Sequence, residues 1–179
     1  MRTYLTTLAL GAALLLAASV RAEDKAKANA PADDKDFVTK AANDGQAEVK
    51  LGELAQKNAA SDRVKAFGAR MVKDHTMANE QLTAAAKNQR VAVVTGLDKE
   101  HREHFDMLAK LQGQDFDREY MKMMKKDHMK AVAMFEAEAK QSSDQDLKKF
   151  AETTLPTLRE HLSEAKSICD ELKIKDDGK

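Results

Sequence analysis

One motif occurs twice in this sequence, and it restricts the possible folds more than any other feature. The two copies are 53 residues apart, so that His75 in the first corresponds to His128 in the second. Around these histidines the identical residues are Met71, Lys73, Asp74 and Ala78 in the first copy, and Met124, Lys126, Asp127 and Ala131 in the second. Apolar residues lie four positions before each histidine, and three and seven positions after it. This spacing predicts two α-helices whose core-facing sides include the histidines.

The composition also favours helices. Ala, Leu, Lys, Glu, Gln and Met, all strong helix formers, dominate a chain that has only 7 glycines, 2 prolines and no tryptophan. The only run of β-branched residues is at 91–95. With 179 residues the chain is long enough for one domain with its own core, and we predict that this domain is all-α.

Apolar spacing and capping residues predict five helices. Ser61, Asp98 and Asp144 are good N-caps, Gly113 is expected to end the short third helix, and Pro156 to kink the last one. The predicted helices are 34–58, 61–89, 98–111, 115–140 and 144–172. Tight turns near Ala60 and Ser143 then form two helical hairpins. The long connection between the hairpins carries the short helix, as in a ferritin-like four-helix bundle.

The first 22 residues differ from the rest of the chain. Arg2 precedes an apolar run at 8–18 that is short for a membrane span, and Val20 and Ala22 suit a cleavage site. We predict a signal peptide at 1–22, with a retained membrane anchor as the alternative. A flexible lead-in at 23–34, a bundle domain at 35–173 and a disordered tail at 174–179 follow. The mature chain would have no integral membrane segment and would be exported to the periplasm, with association with the outer membrane left open.

Three stretches resemble a known family. They are Phe37–Ala41, Asp44–Ala55 and Val64–His75 followed by Asn79, and they are similar to the bacterial domain of unknown function 4142. The resemblance implies an exported, ferritin-like helical bundle, of a kind often labelled an outer-membrane protein. It implies no known activity, so any mechanism has to come from the residues.

Histidines, methionines and one glutamate are the candidate metal ligands. The set is His75, His128, His161, Glu48, Met71 and Met124. Imidazoles and thioethers favour copper in an exported protein, particularly Cu(I). A divalent ion of another metal would also suit them. The alternative is structural: methionines fill gaps in the core, and each histidine makes a buried hydrogen bond. A di-iron site is disfavoured, because Val72, Lys125 and Leu158 stand where its glutamates would be.

Equal distances of two histidines from the starts of their helices predict a polar layer in the middle of the bundle. His75 and His128 each lie about 21 Å along their helices, and the long crossover makes those two helices parallel. Gln46 or Glu48 and His161 are expected near the same level. Such a layer would either satisfy itself by hydrogen bonds or hold a metal ion. Gly45 is expected to leave room for the His75 ring, so Gly45→Leu should be more harmful than Gly52→Leu.

The remaining polar residues allow weaker expectations. Asp74 and Asp127 point away from their own histidines, so each is expected to be exposed or to reach a neighbouring helix. His101 and His104 could hold a weak surface metal, but a solvated face suits them better. Cys169 is the only cysteine, which leaves a buried thiol or an intermolecular disulfide.

These features leave two functional hypotheses. Basic and acidic residues number 30 each without a basic stripe, which argues against nucleic-acid binding. The sequence contains neither a phosphate-binding loop nor an activated nucleophile, so no such motif indicates an enzyme. The first hypothesis is an exported, non-enzymatic module of the cell envelope with an interaction or stress-related role. The second is a periplasmic protein that binds copper or another divalent metal. Partner and oligomeric state stay open in both.

Overall fold

A computed structural model describes residues 33–89, 93 and 96–174. This part of the chain forms no strand, and its helices are α1 (Asp34–Asn58), α2 (Asp62–Ala85) with a 3₁₀ turn at Ala86–Gln89, α3 (Lys99–Leu108), α4 (Gly113–Gln141) and α5 (Gln145–Glu171). The all-α prediction is confirmed, and every long helix begins and ends within a few residues of its predicted bounds. The predicted signal peptide, nearly all of the lead-in and residues 175–179 lie outside the described residues.

Two antiparallel hairpins make the bundle. α1 packs against α2 and α4 against α5, while contacts of α2 with α5 and of α1 with α4 join the hairpins. The backbone of Ala59 at the end of α1 pairs with Gly113 at the start of α4, and Arg63 near the start of α2 forms an ion pair with Glu171 at the end of α5. These contacts make α2 and α4 parallel, as the long crossover predicts for a ferritin-like bundle. No helix in the described part is long and apolar enough to cross a membrane.

Acidic side chains cap three of the helices. Asp33, Asp98 and Asp144 accept hydrogen bonds from backbone N–H groups at the starts of α1, α3 and α5. Ser61 occupies the N-cap of α2 but makes no side-chain capping bond. The buried Asp117 carboxylate of α4 accepts instead from the amides of Ala60 at 3.1 Å and Ser61 at 2.9 Å, which ties the first hairpin turn to α4.

Two glycines correct expectations from the sequence, and one proline leaves its expectation untested. Gly113 does not end the short helix; it starts α4 with a φ of +64°, a conformation that suits glycine. A Cβ at Gly45 would lie 2.1 Å from Oδ1 of Asn79, so the Asn79 amide fills the space that we expected the His75 ring to occupy. α5 is continuous through Pro156, and a kink there stays a prediction.

The apolar core has two parts, one on each side of the histidine level. The first surrounds Phe67 and Tyr120, and the second contains Phe37, Phe135 and Phe150, whose rings contact one another. Along α2 the first part of the core ends at Met71 and the second part begins at Leu82, and His75 lies between these two residues. The polar layer is thus sealed above and below by apolar side chains.

Candidate metal centre

Three histidines from three helices meet at the centre of the bundle. The ring centroids lie 5.7 Å apart for His75 and His128, 5.4 Å for His75 and His161, and 5.3 Å for His128 and His161. One ligand nitrogen from each ring lies within 4.8 Å of the other two. We call this group the histidine cluster. It occupies the level predicted from the equal distances of His75 and His128 from the starts of their helices.

Two of the rings are oriented by hydrogen bonds that point away from the cluster. Nδ1 of His128 lies 2.9 Å from the backbone oxygen of Met124, and Nε2 of His161 lies 2.9 Å from Oδ2 of Asp74. A backbone carbonyl can only accept, so His128 carries its proton on Nδ1. Partial burial would raise the pKa of Asp74, but hydrogen bonds from His161 and Arg70 outweigh it and the pKa is lowered. Asp74 is therefore ionised and accepts from Nε2 of His161.

One nitrogen of each of the three rings has no hydrogen-bond partner. Nε2 of His75, Nε2 of His128 and Nδ1 of His161 are buried without a hydrogen bond. Because the neutral ring has one donor and one acceptor nitrogen, the unpartnered atoms of His128 and His161 carry lone pairs. Leaving such groups buried and unsatisfied costs about 1–3 kcal/mol each. His128 and His161 thus each make the one buried hydrogen bond that the structural alternative expects, but one nitrogen of every ring in the cluster has no protein partner.

Burial keeps the cluster neutral. It lowers the pKa of His75 well below the usual value, with further lowering by His128 and His161. Burial, and then the neighbouring His161, lower the pKa of His128 to about 4. The pKa of His161 is also lowered, again mainly by burial. At neutral pH all three imidazoles are uncharged, which is the state that binds metal ions.

The spacing is close to that of a metal site. Metal–nitrogen bonds of about 2.0–2.1 Å place the nitrogens of a tetrahedral or trigonal site about 3.3–3.6 Å apart. The nitrogens of the cluster lie within 4.8 Å of one another, so binding would draw them together by up to about 1.5 Å. A hydrogen bond from the second ring nitrogen to a carbonyl or carboxylate is also the usual arrangement around histidine ligands, and His128 and His161 both have it.

A charged network holds Asp74 in place. The Arg70 guanidinium contacts Asp74 at 3.2 Å, Glu160 at 2.7 Å and Glu164 at 2.8 Å. It therefore links α2 to α5 around the Asp74–His161 hydrogen bond. We did not identify Arg70 from the sequence, although its spacing of four residues from Asp74 on one helix is a recognisable signal. The expectation that Asp74 is exposed or reaches a neighbouring helix is met by its contact with α5.

Glu48 lies in the layer but beside the cluster. Its Oε1 is 3.8 Å from Nδ1 of His128, the nitrogen that donates to Met124, and its Oε2 has no partner. Among the described His, Cys, Asp and Glu residues, only the three histidines converge on one point. Burial, and then the charges of Asp127 and Asp44, raise the pKa of Glu48 well above its usual value. Gln46, the other residue expected here, is only partly buried.

The remaining sequence candidates are two core methionines and the histidine pair of α3. Met71 and Met124 are fully buried in the first part of the core, and their ligation of a metal stays a prediction. His101 lies between Asp44 at 3.3 Å and Asp98 at 2.9 Å. The hydrogen bond to Asp44, more than any other contact, raises the pKa of His101 to about 9. A protonated ring has no lone pair, so His101 is poorly suited to the surface metal site that we considered with His104.

Comparison with known proteins supports the fold. A family model described as domain of unknown function (DUF4142) matches residues 19–168. Among solved structures, a candidate secreted DUF305 protein from Streptomyces coelicolor superposes with a TM-score of 0.68 at 11% identity, over 82% of this chain and 97% of that one. A DUF305 fragment from Deinococcus radiodurans gives 0.66 at 13% identity, over 79% and 98%. No curated protein matches the sequence.

Proposed function

We propose that this chain, which belongs to the domain of unknown function family DUF4142, binds a transition-metal ion at the centre of its helical bundle. The observation that carries the proposal is the meeting of three buried histidines, each with one unpartnered ring nitrogen and each with a ring nitrogen within 4.8 Å of the other two. A metal ion would accept all three lone pairs and remove the cost of burying them without partners. If the histidines had only a structural role, the cost of burying their unpartnered nitrogens would not be offset.

The donor set favours the later first-row ions. Neutral imidazoles suit copper, zinc, nickel and cobalt better than magnesium or calcium, which prefer oxygen. Affinity for nitrogen sites rises along the series to copper, so copper and zinc are the leading candidates. The ionised Asp74 would increase the electron density on His161 and partly balance the charge of the ion.

Export would give this site its biological setting. The sequence of residues 1–22 predicts a signal peptide, and the structural relative from Streptomyces is described as a candidate secreted protein. We therefore assign the protein to the cell envelope, where it would bind or buffer a metal ion rather than catalyse a reaction. An interaction or stress-related role in the envelope is compatible with metal binding.

Metal binding can be tested with purified mature protein. Zn(II), Co(II) and Cu(I) would be titrated into the wild type, into His128→Ala and into His104→Ala as the matched control. We expect affinity tighter than about 1 μM for the wild type and His104→Ala, and at least about a hundredfold loss in His128→Ala. Circular dichroism would show that each variant is folded, and His161→Gln provides a second, less disruptive variant. Failure of all three ions to bind the wild type would overturn the proposal.

A further inference from the structure

A cavity of about 660 Å³ lies between α2 and α5, beside the histidine cluster. His75 and His161 both line it. His128 instead lines a smaller space that it shares with His75, Glu48 and Asn79. The cavity thus approaches the cluster from the side of two of its three rings. Its volume falls within the range of about 300–1,000 Å³ that is usual for small-molecule sites.

The histidine cluster would leave a bound ion with an open position. Zinc and cobalt usually take four ligands, and sites with three protein ligands keep the fourth position for water or a substrate. Among the described His, Cys, Asp and Glu side chains, only three converge. With no fourth described side chain of these types at the cluster, the open position is available to a ligand from the cavity, which is the space that adjoins the cluster.

The cavity wall combines an apolar surface with an unused hydroxyl group. Phe150 and Leu158 supply apolar area next to the cluster. Thr154, only 9% exposed, also lines the cavity, and its Oγ1 has no hydrogen-bond partner. A ligand in the cavity would find in this buried hydroxyl a free hydrogen-bonding group.

Charge selects the kind of ligand. The charged residues of the wall balance one another, Arg70 with Asp74 and Lys149 with Asp146. The three imidazoles are neutral and Asp74 balances only part of the charge, so a bound metal ion would keep a net positive charge. The strongest attraction in the cavity would therefore come from the ion, and it would favour an anion. The apolar wall adds a preference for an anion with an organic body.

We propose that this cavity binds a small organic carboxylate. Its carboxylate occupies the open position of the metal ion, its body packs against Phe150 and Leu158, and Thr154 donates a hydrogen bond to it. The inference rests on the proposed metal site and adds the class of ligand that the site takes.

Cobalt(II) provides the readout, since its visible absorption changes with coordination. The cobalt-loaded mature protein would be titrated with azide, which tests for an open position, and with benzoate, which tests for the cavity. We expect both anions to change the spectrum. Thr154→Val should weaken benzoate binding by about five- to tenfold, the value of one hydrogen bond, and leave cobalt affinity unchanged.

A pair of tryptophan variants tests the location. Ala84 and Ala133 are both exposed helical alanines, but only Ala84 lines the cavity. Ala84→Trp should abolish benzoate binding while cobalt still binds, whereas Ala133→Trp should behave as the wild type. Equal benzoate binding in the two variants would overturn the inference, as would a cobalt spectrum that neither anion changes. If cobalt itself does not bind, the proposed function fails and this inference falls with it.

Discussion

Asp74 lies next to His75 in the sequence but accepts its hydrogen bond from His161, 87 residues further along the chain, at 2.9 Å. Two adjacent residues of α2 therefore contribute to the cluster in different ways. His75 contributes a ring, and Asp74 fixes the tautomer of a ring on α5. The repeated motif does not do this in its second copy, where the half-buried Asp127 pairs with Lys130 at 3.3 Å on its own helix.

This difference between the two copies gives a matched test of Asp74. Asp74→Asn removes the negative charge and no longer fixes the proton on Nε2 of His161. Loss of such a hydrogen-bond partner typically weakens metal binding by about 10–100-fold. Asp127→Asn should leave the affinity unchanged. The measurement is competition with a chromophoric chelator, and an equal loss in both variants would show that Asp74 acts only through net charge.

The level of the cluster could be predicted because it follows from helix periodicity and element length. His75 and His128 occupy core-facing positions of their helices, and a long crossover makes the helices parallel. Contacts between side chains of different helices could not be derived in this way. Asn79 fills the space beside Gly45, and the ring centroid of Phe67 lies 6.3 Å from that of His128.

The glycines give a prediction that reverses the one drawn from the sequence. A Cβ at Gly52 would lie 2.5 Å from the backbone oxygen of Gly68, so Gly52→Ala must push α1 and α2 apart. At Gly45 the obstacle is the end of the Asn79 side chain, which can move. Gly45→Ala also gains about 1 kcal/mol of helix propensity and should be nearly neutral, whereas Gly52→Ala should destabilise by about 1–3 kcal/mol. Urea unfolding would decide, and a larger loss at Gly45 would restore the original ranking.

Apolar residues in the second part of the core, on one side of the cluster, should carry much of the stability. Leu82 is 1% exposed and Phe135 is 6% exposed. Replacing either with alanine removes buried area and leaves a cavity, so we expect a loss of about 2–5 kcal/mol in the free energy of unfolding. Met129, which is 52% exposed on the same helix as Phe135, serves as the control, and Met129→Ala should change it by less than about 0.5 kcal/mol. Losses below that value at Leu82 and Phe135 would contradict the packing.

His101 should make the attachment of α3 depend on pH. Its pKa is raised to about 9, chiefly by the hydrogen bond to Asp44, from an ordinary value of 6.5. The stabilisation is fully present below pH 6.5 and is lost as the pH rises through about 9. His101→Gln should therefore destabilise the protein at pH 6 and much less at pH 10. His104→Gln, three residues away on the same helix, is the control, and a pH-independent effect at His101 would rule out the ion pairs as its source.

The Glu48→Gln variant tests whether Glu48 only adjoins the cluster or also binds the metal ion. The raised pKa means that the folded protein retains the Glu48 proton above the usual value of 4.5, so wild-type stability falls as the pH rises beyond it. Glutamine has nearly the same shape as the neutral acid and cannot ionise. Glu48→Gln should therefore match the wild type near pH 4.5 and become progressively more stable than it towards pH 8. If Glu48 only adjoins His128, the variant should also keep its metal affinity, because the converging nitrogens are untouched. A loss of more than about tenfold in affinity would instead make Glu48 a ligand that moves into the site when the ion binds.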